Sequence, residues 1–262
     1  MNINKHSGFS ILEIMVAITI SLILLLGILQ IFVSNKNTYR LQNNLAILQE
    51  NGRFLHEYLN KVIRNTAFRS PVLNQQFVTL DNVFSASMGF ISGTDNTGPN
   101  GSDVLIVRFQ GSGTGSGTPD NTIRDCLNRG VDALTIATNT ISLNANNQLT
   151  CRAQNANGAP ADDTQVILDD VENFQVLYGE DLNNDKTPDR FVSANHPSLN
   201  FNNVVAVKLA ILLRSTEQNN PVADSKAYNL LGTLHTAGGD RFTRQILSFT
   251  IMLRNAVTEV AL

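Results

Sequence analysis

The chain has no tryptophan, only two cysteines and few charges. Charged residues make up 16% of its 262 positions, against about 25% in an ordinary soluble domain. Nineteen Lys and Arg against 22 Asp and Glu leave a net charge of −3. That gives no basic footprint, so direct contact with nucleic acid is not expected. Catalytic vocabulary is thin as well. The histidines, His6, His56, His196 and His235, form no i,i+4 metal pair and no H-E-x-x-H. There is no G-x-S-x-G, hence no nucleophile elbow. The glycine-rich stretch Gly111–Gly117 lacks the G-K-[ST] ending of a phosphate-binding loop and reads as a flexible insertion. The acidic pairs Asp162–Asp163 and Asp169–Asp170 stand at loop or strand edges and read as solvated turns. An enzyme is not expected.

Proline is also absent until Pro71. What fills that space is a long apolar run, Phe9 to Val33, holding one charge, Glu13. About 25 residues at ~1.5 Å per residue give roughly 37 Å of helix, and a bilayer core of ~30 Å needs about 20. The segment can therefore span a membrane. The run is too long for a cleaved secretory signal, and Ala17 is its only alanine, so no small-residue cleavage site follows. Lys5 precedes the run and stays cytoplasmic, which sends the body outside. Glu13 is the anomaly: a carboxylate at membrane depth costs about 2.5–3.5 kcal/mol and calls for shallow placement or a cationic partner. Two cysteines in a body outside the cytoplasm predict one disulfide, Cys126–Cys151. Closing that loop contributes about 3–4 kcal/mol in the chain-entropy model.

Gly8-Phe9-Ser10-x-x-Glu13 followed directly by an apolar helix resembles the type IV prepilin signal. The resemblance implies cleavage after Gly8 by prepilin peptidase, N-methylation of Phe9, and a salt bridge during assembly between Glu13 and the new amine of Phe9 in its own or a neighbouring subunit. Many major pilins carry a proline in this helix; here the only weak point is Gly27. The stretch Gln49-Glu50-Asn51-Gly52-Arg53-Phe54, the run Val204–Ser215 and the run Arg241–Asn255 resemble the PilW family of minor pilins.

Beyond the membrane the helix continues to about Phe68. Leu41, Leu45, Leu48, Leu55, Leu59 and Val62 form a stripe at heptad-like spacing with Gly52 on it. Arg53, Glu57 and Lys61 fall at i, i+4 and i+8 on another face. The rest reads as strands: 103–109, a pair at 132–138 and 140–144, then 148–152, 166–168, 172–179, 204–214 and 242–254. The expected fold class is α+β, a long N-terminal helix packed on one face of an antiparallel β-sheet head, type IV pilin-like. The expected division is a leader at 1–8, a transmembrane or filament-core helix at 9–33, its amphipathic continuation at 34–69, and a β-rich periplasmic head at 70–262.

Asp181, Asn183, Asp185, Thr187 and Asp189 place oxygens at alternate positions, as a calcium loop does. Lys186 stands where glycine makes the sharp turn, and Val192 where a bidentate glutamate closes the site. Calcium binding and an acidic turn that caps its own backbone both remain open.

The resemblance implies a minor pilin that takes part in initiating and assembling type IV pili, within a tip or priming complex, supporting twitching motility, adhesion or DNA uptake. Implied partners are prepilin peptidase, other minor pilins, the major pilin and the inner-membrane assembly machinery. The implied location is the inner membrane of a Gram-negative bacterium with the head in the periplasm, then the pilus. Two alternatives stand beside it: a J-type pseudopilin of a type II secretion system, and a tip adhesin or membrane-anchored binding module.

Overall fold

The computed structural model describes residues 10–70, 89–115, 117–155 and 160–256. One helix, α1 (Ile11–Arg64), runs 54 residues without a break, straight through Gly27. Ser10 caps it: its Oγ accepts from the Leu12 N–H, and Glu13 accepts from the Ser10 N–H, closing a capping box. Its first 23 or so residues are exposed on every side, and it is long and apolar enough to cross a membrane.

The outer half buries Asn44, Leu48, Gly52, Leu55, Leu59, Val62 and Ile63. The expected stripe is thus displaced at its lower end. Leu41 is half-buried and Leu45 exposed; Asn44 faces the head instead, donating to the Glu217 carbonyl at 3.3 Å. The steps 44, 48, 52, 55, 59, 62 hold one line on a 3.6-residue helix; Leu41 lies on its extension and stays half-buried, whereas Leu45 falls beside it. Arg53 pairs with Glu50 at 2.7 Å, not with Glu57.

The head contains two antiparallel sheets sharing a core, not one. The first sheet orders β1 (Ile91–Thr94), β2 (Val104–Gln110), β3 (Ile136–Leu143), β4 (Leu149–Asn155) and β5 (Asp163–Leu168) in sequence. The second orders β11 (Arg244–Met252), β8 (Val204–Arg214), β6 (Val171–Glu180) and β7 (Arg190–Val192). A hairpin of β9 (Ala227–Leu230) and β10 (Thr233–Thr236) stands apart. The expected pair at 132–138 and 140–144 is one strand: β3 passes through Asn139, and its partners are β2 and β4.

Register explains the packing. Phe174, Ile211 and Leu247 lie side by side, as do Val176, Leu209 and Phe249, and Tyr178, Val207 and Ile251. This inner face of the second sheet meets Leu48, Leu55 and Leu59 of α1 and Leu105, Ile141 and Leu149 of the first sheet in one core. The opposite face is also covered. Ala210 and Leu212 pack under Leu230 and Tyr228 of the β9–β10 hairpin, so β8 is apolar on both faces for a reason. Gly93 is required by close approach: a Cβ there would stand 2.0 Å from the Tyr178 hydroxyl. The glycine-rich stretch is not free either. Gly111 and Ser112 donate to the carbonyls of Thr135 and Val131 at 2.9 Å each.

Candidate functional site

The exposed half of α1 is the largest apolar surface among the described residues. Ile11, Leu12, Met15, Leu24, Leu26 and Ile28 are each more than 60% exposed, far beyond what a soluble surface leaves bare. Hydroxyls on this stretch are satisfied internally: Thr19 donates to the carbonyls of Met15 and Val16 at 3.0 and 2.9 Å. Glu13, Ala17 and Ser21 recur every four residues along one side, the spacing at which small side chains let helices approach closely. Glu13 itself is engaged within the chain, through the 3.0 Å bond from the Ser10 N–H. Gly8 and Phe9 lie outside the described residues.

Cys126 and Cys151 are bonded, with Cα atoms 6.4 Å apart, and both are buried. Tyr58 of α1 donates to the Cys126 carbonyl at 2.9 Å, so the disulfide clamps the first sheet against the helix. Burial of its hydroxyl pushes the Tyr58 pKa up.

The acidic loop after β6 is closed on itself. The two Asp181 oxygens accept three backbone N–H groups, from Asn183, Asn184 and Lys186, at 3.2, 2.7 and 2.8 Å. Asp185 accepts the Thr187 N–H at 2.8 Å and also its hydroxyl, and the Asp189 carboxylate accepts the Leu182 N–H at 2.7 Å. The Asn183 amide nitrogen stands 3.2 Å from Asp185 and 3.4 Å from Asp189, where it occupies the space between the two carboxylates. Lys186 adopts a positive φ of 72°, making the turn that glycine makes in calcium loops. Among the described residues no group of three or more His, Cys, Asp or Glu is arranged to hold a metal. Such hydrogen bonding fits a self-capped acidic turn. Millimolar Ca²⁺ and EDTA are each expected to leave the melting temperature unchanged; a rise with Ca²⁺ that Asp185→Ala abolishes would decide for the metal reading.

A buried ion cluster at the top of the second sheet has no counterpart in the sequence reading. The Arg244 side chain is 1% exposed and spends all five N–H donors. It reaches Glu172 at 2.6 and 2.8 Å, Asp240 at 2.7 Å twice, and Asp224 at 3.2 Å. Tyr228 of the hairpin donates to Asp224 at 2.6 Å. Arg214 joins Asp170 at 3.1 Å and lies 4.4 Å from the Phe242 ring centroid, so Asp170 is an ion-pair partner rather than a solvated turn. His235 stands 3.8 Å from Glu172. Hydrogen bonds from Arg244 hold the Asp240 carboxyl below its ordinary range. Burial opposes the Arg244 charge, yet the Asp240 and Glu172 bonds win and raise its pKa. The available signal was the Asp240–Arg244 spacing. The cluster pins the hairpin and the ends of β6, β8 and β11 together.

The geometry is that of a helix long and apolar enough to cross a membrane, joined to a two-sheet head. Residues 134–255 match the family described as type IV pilus-assembly protein W. Residues 3–29 match the prokaryotic N-terminal methylation motif. No curated protein matches the chain. A type IV-like pilin from Thermus thermophilus aligns over 70% of this chain and 98% of its own, at 16% identity and a TM-score of 0.38.

Proposed function

We propose that the chain, whose residues 134–255 are similar to type IV pilus-assembly protein W, is a minor pilin of that kind acting at the start of pilus assembly, in a priming complex that becomes the tip. The observation that carries this is the union of a methylation-motif N-terminus with an α1 whose apolar half is bare while its outer half is locked into the head. A helix apolar all round is stable only in lipid or among other helices. Held in the membrane it stores the subunit; packed among like helices it builds a filament core. The rigid head then points outward and sets which neighbours fit.

On this reading prepilin peptidase cuts after Gly8 on the cytoplasmic side and methylates Phe9. The head lies in the periplasm, where the Cys126–Cys151 bond forms. The protein's role is mechanical and combinatorial rather than catalytic. Deleting the gene is expected to remove surface pili while the major pilin stays in the membrane at its normal level. Normal piliation in the deletion strain would remove the priming role.

A further inference from the structure

Among the described residues the two-sheet head has one long unpaired edge: β11 pairs there only with β8 and forms the end of its sheet. Its nine residues keep an unbroken register against β8, without bulge, proline or glycine. From Gln245 to Met252 there is no charge. Natural sheets guard such edges with lysine, proline, bulges or shortness, and β11 uses none of these. The other sheet edges are shorter: β1 has four residues, β5 six and β7 three.

The outward groups can be assigned. Thr243 accepts from the Ser215 N–H, and the Leu253 N–H donates to Val205. Odd-numbered residues of β11 therefore bond to β8, because antiparallel strands alternate. The N–H and C=O groups of Ile246, Ser248, Thr250 and Met252 face outward, and their side chains are exposed, with Met252 42% exposed. Beside this edge α1 leaves a notch of about 240 Å³ between Gln49, Gly52, Arg53 and His56 and the Leu247 and Gln245 side chains. The fold does not need a glycine there: a Cβ on Gly52 would meet Leu247 at 3.8 Å, an ordinary contact.

Direction selects the occupant. Leu247 lies against Gly52, Phe249 stacks edge-on against His56 at 4.8 Å, and Asn255 donates to the carbonyls of Arg64 and Thr66. β11 thus runs in the same sense as α1. Two copies anchored in one membrane stand the same way up, so their β11 strands cannot form the antiparallel self-pair. A two-fold axis along the strands would set each outward N–H against its own copy. Among the described residues no other strand edge matches nine residues, so a second copy is a poor partner. The bare half of α1 is exposed on every side, and a neighbour whose helix packs along its β11 side would stand beside β11. We infer that β11 receives, by strand addition, an edge strand of a different pilin-type subunit, one side chain of which fills the Gly52 notch. This rests on the reading of the chain as a minor pilin.

The test uses the full chain in its own cells. Ser248→Pro and Thr250→Pro each remove one outward N–H and no ladder bond to β8. Both are expected to keep the melting temperature, the disulfide and the membrane level, while at least tenfold less of another pilin-type subunit co-purifies from detergent-solubilised membranes. A photo-crosslinking residue at Ile246 is expected to give one adduct, identified by mass as a different protein with a methylated prepilin N-terminus. Unchanged co-purification with both proline variants, no adduct, or an adduct with a second copy would each overturn the inference. The mass of the chain's own N-terminus is read in the same samples. An unprocessed start would instead indict the minor-pilin reading.

Discussion

Arg244→Met should lower the stability of the full chain by about 3–5 kcal/mol, the usual cost of breaking a buried ion pair from one side, or roughly 10 °C or more in Tm. The reason lies in what is left behind. Glu172, Asp224 and Asp240 converge on one guanidinium that is 1% exposed. Without it, three carboxylates remain close together in a site that water hardly reaches. The Tyr228 bond to Asp224 cannot compensate for all three.

The pH dependence carries the sign. In the wild type the Asp240 pKa is depressed, chiefly by Arg244. A depressed carboxyl contributes stability above its unfolded value near 4, which is lost as pH falls through the depressed value. In Arg244→Met the Arg244 share of that depression is lost, while the Phe242 N–H still lowers Asp240 and the Tyr228 hydroxyl and Lys226 N–H still lower Asp224. The stability gap between wild type and variant is therefore expected to be full near pH 7 and to narrow as pH falls below about 4. Thermal melts at several pH values in detergent decide it. A variant melting within 2 °C of wild type, with the same pH slope, would show that the cluster does not hold the hairpin.

The second large effect concerns Glu13. Glu13→Ala and Glu13→Gln are both expected to be cleaved and membrane-inserted at wild-type levels, yet to reach assembled pili at least tenfold less often. The glutamine variant separates two roles. In the single chain Glu13 caps its own helix by accepting the Ser10 N–H, and glutamine fills that place in a capping box as well as glutamate does. If capping were the whole role, Glu13→Gln would assemble normally and only Glu13→Ala would fail. If the charge is the docking element, both fail. The magnitude follows from an unpaired carboxylate in lipid costing about 2.5–3.5 kcal/mol, which pairing with a Phe9 amine would recover.

Legibility followed the length of the pattern. The helix announced itself through an apolar run without proline, and its end at Arg64 falls four residues before the expected one. Val204–Arg214 was readable to the residue because nine of its eleven positions are β-branched or aliphatic. Short pieces were not. β1, β7, β9 and β10 have three or four residues each, too few for alternation to register. The β9–β10 turn uses Leu231 and Gly232 at φ of 55° and 106°, where Asn-Gly is the usual hairpin signal. Missing that hairpin made β8 look half-exposed and two sheets look like one. The division at 132–138 and 140–144 failed at Asn139, a polar residue buried inside β3. The ion cluster left only the Asp240–Arg244 spacing as a signal, because its members span residues 170 to 244 and meet only in the folded head.

The central claim is that residues 9–33 are an assembly element held in the membrane until needed, not a permanent anchor. The mass of the N-terminal peptide of the mature protein tests it most directly. A chain starting at Phe9 with one added methyl group is the predicted result. An intact Met1, or a start beyond Val33, would contradict the account.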